Sequence, residues 1–224
     1  MDQNKIFSTG EGDAWYRRNS KQLIAQNASS SLNDVAYVCE VLSPFKSRIN
    51  QVLEIGCSDG LKLDAICYDL DAIGVGIDPS SIAVNAGNTR AKIADITLMQ
   101  GTGENLPCLS ERFDLVYFAF CLYLFDRKSL IQSLAEADRV LKPGGFLVIT
   151  DFDPGVPYKR PYSHCDGVYS YKQDYTTFYT QSGLYYLAGK TCFSHRVPYL
   201  DEIPDERVAT SILYKEAEPY PVSG

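Results

Sequence analysis

The chain alternates between short apolar runs and segments of helical period from residue 51 onward, and this alternation organises everything else. Residues 51–55 (QVLEI), 73–77, 96–100, 113–120 and 146–150 are runs of apolar side chains without polar alternation, as strands buried on both faces require. Between them, 61–70, 79–86 and 127–141 have helical spacing. Pro79 is placed to start its helix at the first position, and Lys142-Pro143-Gly144-Gly145 stops the last one as a turn. Ahead of this core, 11–27 and 32–46 read as two helices; Ser31 or Asn33 is the candidate cap of the second, and Ser43-Pro44 its stop. Behind it, 153–170 is rich in Pro, Gly and Tyr and reads as a loop. Asp174 is the candidate cap of a short helix to Ser182, ended by Gly183. Residues 184–194 and 208–215 then read as strands too closely spaced for a helical crossover, hence antiparallel, and 218–224 as a frayed end.

The pattern predicts an α/β fold: a doubly wound, mostly parallel seven-stranded sheet with helices on both faces and a C-terminal antiparallel hairpin. One domain is expected over 1–224, with a helical cap at 1–48, a ligand-binding core at 49–151, and a substrate loop, short helix and final hairpin at 152–217.

Composition narrows the function. Hydrophobic residues make up 45% of the 224 and charged ones 22%, ordinary for a globular protein. A net charge of −7 and no basic cluster longer than Lys159-Arg160 argue against nucleic acid as partner. No apolar run approaches the roughly 18 residues of a membrane span, and the first residues carry no signal-peptide core. The seven cysteines are scattered without a C-x-x-C pair, which points to reduced thiols and a cytoplasmic setting. With two histidines and no ligand spacing, no metal site is expected.

The candidate chemistry centres on VLEIGCSDG, residues 52–60. A dinucleotide turn reads G-x-G-x-x-G, but positions 58 and 61 are Ser and Leu, and no Walker pattern is present. Glu54, two residues before Gly56, would repel a pyrophosphate and attract an ammonium or sulfonium. Asp78 ends the second strand, where a carboxylate accepts hydrogen bonds from both hydroxyls of a ribose. A ribose beside a positive charge describes S-adenosylmethionine better than NAD.

From Val52 to Asp151 the chain resembles the class I S-adenosylmethionine-dependent methyltransferases, in their small-molecule branch. VLEIGCSDG matches the family's first motif, with Ser58 for its middle glycine; Gly56, Cys57, Ser58 and Gly60 are thereby implied at the cofactor. GVGIDPS supplies Asp78 and Pro79, and GTGENLP (101–107) resembles the loop beside the adenine. There Thr102 stands where the family usually has an acid, leaving Gly103 and Glu104 as further contacts. FDLVYFAFCLYLF (113–125) resembles the fourth strand and the cofactor-facing turn, placing Ala119 and Phe120 at the cofactor, and LKPGGFLVITD (141–151) resembles the approach to the fifth strand. Trp15 and Arg18 lie in a W-x-x-R-N segment similar to the N-terminal part of bacterial methyltransferases of sugar and surface-polysaccharide pathways. The resemblance implies that this segment closes over the cofactor, with Arg18 on the methionine carboxylate.

The implied reaction is methylation of a small acceptor, first choice a sugar or nucleotide-sugar, second a quinone or polyketide-like ring. His164, Tyr123 and Asp174 are the candidates for base or orienting group. Each has a plainer reading: a solvated loop histidine, a buried aromatic and a helix cap. The tyrosines dense from 158 to 199 read either as ballast for half-buried strands or as a substrate wall. His195, at the end of a predicted strand, is a weaker candidate base. The rival functions are a NAD-dependent oxidoreductase and a catalytically silent partner subunit; the oligomeric state is left open.

Overall fold

The structure, a computed structural model, describes residues 2–28, 33–90, 92–194 and 197–222. Ser31 and His195 fall outside them. Among the described residues there are nine strands: β1 Gln51–Ile55, β2 Ile73–Asp78, β3 Ile96–Gln100, β4 Phe113–Ala119, β5 Leu141–Phe152, β6 Tyr158–Pro161, β7 Tyr169–Lys172, β8 Tyr185–Phe193 and β9 Val208–Lys215. The α-helices are α1 Gln3–Ile6, α2 Gly12–Ala28, α3 Asn33–Leu42, α4 Leu61–Leu70, α5 Ser81–Thr89, α6 Leu130–Val140 and α7 Thr177–Thr180.

Seven strands form one sheet in the order β3-β2-β1-β4-β5-β9-β8, and β6 and β7 pair separately. β1 to β5 run parallel, while β9 is antiparallel to both β5 and β8. β1 and β4 are central because their apolar side chains have cover on both faces. Val116 and Phe118 enter the core beneath α6; Leu115 and Tyr117, one residue out of phase, enter the core beneath α3 and α4. The winding direction reverses between β1 and β4, which opens a crevice at the carboxyl ends of these strands.

Several local expectations change. Ser80, not Pro79, starts α5: its hydroxyl accepts from Ala83 N at 3.0 Å and caps the helix, so Pro79 stands before it. The Lys142–Gly145 breaker is drawn into β5, which begins at Leu141 and absorbs Gly144, at φ +77°, through a register shift against β4. β4 ends at Ala119 and α6 starts only at Leu130. The 153–170 loop contains the β6–β7 hairpin. Asp174 precedes rather than caps a shorter α7, whose N-cap is Thr176. The C-terminal tail folds back, with the Tyr220 hydroxyl donating to Ser182 O at 2.5 Å. All seven cysteines are free thiols.

Candidate active site

The turn after β1 is built from backbone positions that suit glycine. Gly56, Ser58 and Gly60 lie at φ +77°, +51° and +72°. A Cβ on Gly56 would stand 2.6 Å from Cys121 Cβ, so this position admits no side chain. Gly56 N donates to Ile77 O at 2.8 Å, which ties the turn to β2. Ser58 occupies a left-handed conformation that costs a non-glycine residue about 1 kcal/mol.

Asp78 organises the next layer. Its Oδ2 accepts from Ser58 N at 2.7 Å and its Oδ1 from Ser80 N at 2.8 Å. Burial pushes its pKa up to about 6, against these two hydrogen bonds, which favour the charged form. The amino-terminal segment docks on the same loops: the Tyr16 hydroxyl donates to Asp59 at 3.2 Å, and Asp13 accepts from Ser80 Oγ at 2.7 Å and Ile82 N at 3.1 Å.

Glu54 is 2% exposed, and its Oε2 has no hydrogen-bond partner among the described residues. Burial raises its pKa well above the ordinary carboxylate range; Lys62 opposes this, while Asp34 and Asp78 reinforce it. Asp34, from α3, pairs with Lys62 and accepts from the Tyr117 hydroxyl at 2.9 Å. A buried polar chain continues from Tyr117 to Thr150 Oγ1 and on to Thr210 Oγ1, 2.8 Å at each step. Each member is satisfied by its neighbours, so the chain fixes the cap helix α3 against β4, β5 and β9.

Of these groups Asp34, Glu54, Asp59, Lys62, Asp78 and Thr150 line one cavity of about 1250 Å³. Glu54, Gly56, Cys57, Ser58, Asp78 and Pro79 line one end, with Thr102, Gly103 and Glu104 from the loop after β3. Ser58 Oγ and Glu104 Oε2 are buried there without a partner, like Glu54 Oε2. Ala119 and Phe120 form the middle. Phe120, at φ +63°, turns the chain out of β4, a strained conformation of the kind found at ligand clamps. Its ring meets Tyr123 and Phe152 at centroid distances of 5.2 and 4.9 Å, and these two meet at 5.1 Å. Burial and then the charge of Asp151 raise the Tyr123 pKa, so its hydroxyl stays protonated at neutral pH. The far end is walled by Phe193, Val197, Pro198 and Val208, and by Arg160 to His164 of the β6–β7 hairpin. Trp15 lines the cavity from α2.

Three residues singled out from the sequence lie elsewhere. Gly60 sits under the turn, where a Cβ would meet Leu98 at 2.9 Å, so its role is packing. Arg18 is outside the lining. Its guanidinium bonds Glu11 at 2.5 Å and the Tyr162 hydroxyl at 3.1 Å, pinning α2 to the hairpin instead of reaching for a carboxylate. Asp174 is also outside, accepting from Thr176 and pairing with Lys190 at 3.1 Å, which lowers its pKa and leaves it a structural anion. His164 lines the cavity but is exposed, with its ring 5.3 Å from that of Tyr162. Asp34, Lys62, Phe152 and Arg160 were not foreseen. Asp34 and Tyr117 are 83 positions apart, and no local pattern announces their contact.

The donor set fits S-adenosylmethionine. Buried acceptors without partners suit its ammonium and hydroxyl donors, the carboxylates suit its positive charge, and the cavity exceeds the roughly 300–1,000 Å³ of a one-ligand pocket, leaving room for an acceptor. Comparison with known proteins gives the same direction. The family model of the methyltransferase domain matches residues 52–145. The fatty-acid O-methyltransferase of Mycolicibacterium smegmatis is 32% identical over 105 residues, 46% of this chain and 38% of that protein. The phthiotriol/phenolphthiotriol dimycocerosates methyltransferase 1 of Mycobacterium ulcerans is 31% identical over the same length and shares. The chain thus spans about two fifths of the length of these curated relatives. A crystal structure of an S-adenosylmethionine-dependent methyltransferase from Clostridium acetobutylicum superposes with a TM-score of 0.62 at 13% identity, covering 89% of this chain and 99% of that one, a likeness of fold. Family match, sheet order and a cavity suited to a cationic nucleoside agree: residues 52–145 match a methyltransferase domain, and the fold is similar to that of S-adenosylmethionine-dependent methyltransferases.

Proposed function

We propose that this protein transfers a methyl group from S-adenosylmethionine to a small acceptor with a largely apolar body. The observation that carries the reading is the polarity of the cavity. Buried carboxylates, with Glu54 Oε2 unpartnered among the described residues, face one end, while the other is lined mainly by aromatic and aliphatic side chains, with Arg160 and His164, and by no described carboxylate.

Bound S-adenosylmethionine supplies a methyl group already activated by its sulfonium. Asp78 and Ser58 hold the ribose, Glu54 receives the ammonium, and Thr102, Gly103 and Glu104 serve the adenine end. Phe120, Tyr123 and Phe152 stand where the two halves meet; their ring faces accommodate a positive charge and exclude water. The amino-terminal segment forms the roof: Gln3 Nε2 donates to Leu124 O at 2.7 Å and Tyr169 O at 2.9 Å, and the Phe7 and Tyr162 rings meet at 6.1 Å. Catalysis then rests on alignment in a dry site. Tyr123, held protonated, donates to and orients the acceptor. His164 is the lining residue suited to take a proton.

A sugar or nucleotide-sugar acceptor is the weaker reading, because Phe152, Phe193, Val197, Pro198 and Val208 offer a polyol no side-chain hydrogen bonds and leave mainly the hairpin residues Arg160 to His164 to supply them. The ring or lipid-like acceptor fits better, and the relatives are named for a fatty acid and for phthiotriol. A cytoplasmic setting agrees with the free thiols. Among the described residues no helix is long and apolar enough to cross a membrane.

Calorimetric titration with S-adenosylhomocysteine and with NAD tests the reading. Micromolar binding of the first alone is expected. Binding of NAD alone returns the oxidoreductase, and binding of neither returns the silent subunit.

A further inference from the structure

Charge is sorted along the cavity. The carboxylates among its described lining residues, Asp34, Glu54, Asp59, Asp78 and Glu104, all belong to the cofactor end. Among the described residues the ionisable cations at the acceptor end are Arg160 and His164, on or beside β6, and no carboxylate lines the wall there.

Arg160 is supported from behind. Its Nη1 donates to Asp205 Oδ2 at 2.5 Å, and the opposite oxygen, Oδ1, accepts from Lys172 Nζ at 2.7 Å. A single carboxylate is shared by two cations. Lys172 is 1% exposed, lies 3.6 Å from the centroid of the Phe152 ring, and also donates to Asp205 O at 2.8 Å. Burial and then the neighbouring Arg160 charge lower its pKa to about 8, while Glu206 and Asp151 act to raise it. Neither of those acids lines the cavity. The Arg160 side chain remains 52% exposed, and its other N–H groups have no protein partner among the described residues. A fork of donors thus opens on an apolar chamber whose wall, Phe152, has an ammonium directly behind it.

Resting on the methyltransferase reading above, we infer that Arg160, backed by Lys172, receives an anionic group of the acceptor, so that the substrate is an apolar body bearing an oxyanion such as a carboxylate or a phosphate. Asp205 holds both cations in place but leaves the outer edge of the guanidinium for the ligand. Neutral alcohols and amines of the same length lack the charge this edge is built to meet.

Matched probes test this by calorimetry on the full chain saturated with S-adenosylhomocysteine: octanoate, octyl phosphate, octanol and octylamine. Octanoate or octyl phosphate is expected to bind at least tenfold more tightly than octanol, and octylamine most weakly. The tighter of the two anions names the source. Arg160→Gln should bring the better anion to the level of octanol, leaving octanol and S-adenosylhomocysteine affinities unchanged, and Arg160→Lys should restore part of the preference. Octanol binding within threefold of both anions overturns the inference, as does an Arg160→Gln variant that weakens all probes equally. Failure of S-adenosylhomocysteine to bind counts against the methyltransferase reading alone, because the same titrations without it still report the preference.

Discussion

Replacing Asp78 by Asn tests the cofactor assignment where the energetics are largest. The carboxyl titrates near 6 in the folded protein, against 3.8 for an ordinary aspartate. Keeping it charged at pH 7 therefore costs the free protein about 3 kcal/mol, at about 1.4 kcal/mol per tenfold. Asparagine removes that cost but can accept from only one of the Ser58 and Ser80 amides, which returns about 1–3 kcal/mol of destabilisation. The unliganded variant should thus melt close to wild type. Ligand binding has no such compensation. Ribose hydroxyls donating to a carboxylate contribute about 1.5–3 kcal/mol per bond, so losing one such bond should weaken S-adenosylhomocysteine about 10- to 150-fold. The pH dependence carries a second signature. Between about pH 4 and 6 the folded carboxyl holds a proton that the unfolded one has lost, so this group's contribution to stability falls as pH rises through that window and is flat above it. Affinity runs the other way: below about pH 6 the wild type should lose up to tenfold per pH unit as Asp78 protonates, and Asp78→Asn should lack that dependence. Calorimetry from pH 8 to 5 with parallel melting curves measures both. A variant within threefold of wild-type affinity, together with a flat wild-type profile, refutes the ribose assignment.

Ser58→Gly relieves a left-handed conformation and should stabilise the protein by about 1 kcal/mol in urea unfolding, yet weaken S-adenosylhomocysteine severalfold, because the buried Ser58 Oγ has no partner among the described residues and is open to the ligand. Unchanged affinity assigns the hydroxyl no role. Tyr117→Phe cuts the chain between Asp34 and Thr150 and should cost about 1–3 kcal/mol of stability, read as a lower urea midpoint; an unchanged midpoint means the network contributes no net stability. Arg18→Ala removes a pin between α2 and the hairpin without touching the cavity, so S-adenosylhomocysteine affinity should stay within about threefold. A hundredfold loss would return Arg18 to the methionine carboxylate.

The sequence by itself determined the parallel core. Its strands are unbroken apolar runs because both faces of β1 and β4 are covered, and that burial is a local requirement written residue by residue. It also determined the acids at the ends of β1 and β2: a strand fixes where its last side chains stand, so Glu54 and Asp78 were legible as a pair before any fold was drawn. The closing antiparallel strands followed from the short span between them. What the sequence misplaced has physical reasons too. Lys142–Gly145 carries breaker chemistry, but sheet pairing with β4 drew it into β5. The hairpin of β6 and β7 was hidden in a Pro- and Tyr-rich stretch, and Arg160 and Lys172 on it are held by Asp205, more than 30 positions away, which no local pattern announces.

Long-range partners were decided only by the tertiary structure. Arg18 reads as a cation ready for a carboxylate until Glu11 and Tyr162 occupy it, and Asp174 as a base until Lys190 pairs with it. Asp34, Lys62 and Arg160 carry no motif, since an ion pair needs proximity in space and places no constraint on spacing along the chain. The chain dictated which end of the cavity attracts a cationic nucleoside. Folding alone decided which aromatic residues face the other end, and that the described charge facing it is positive.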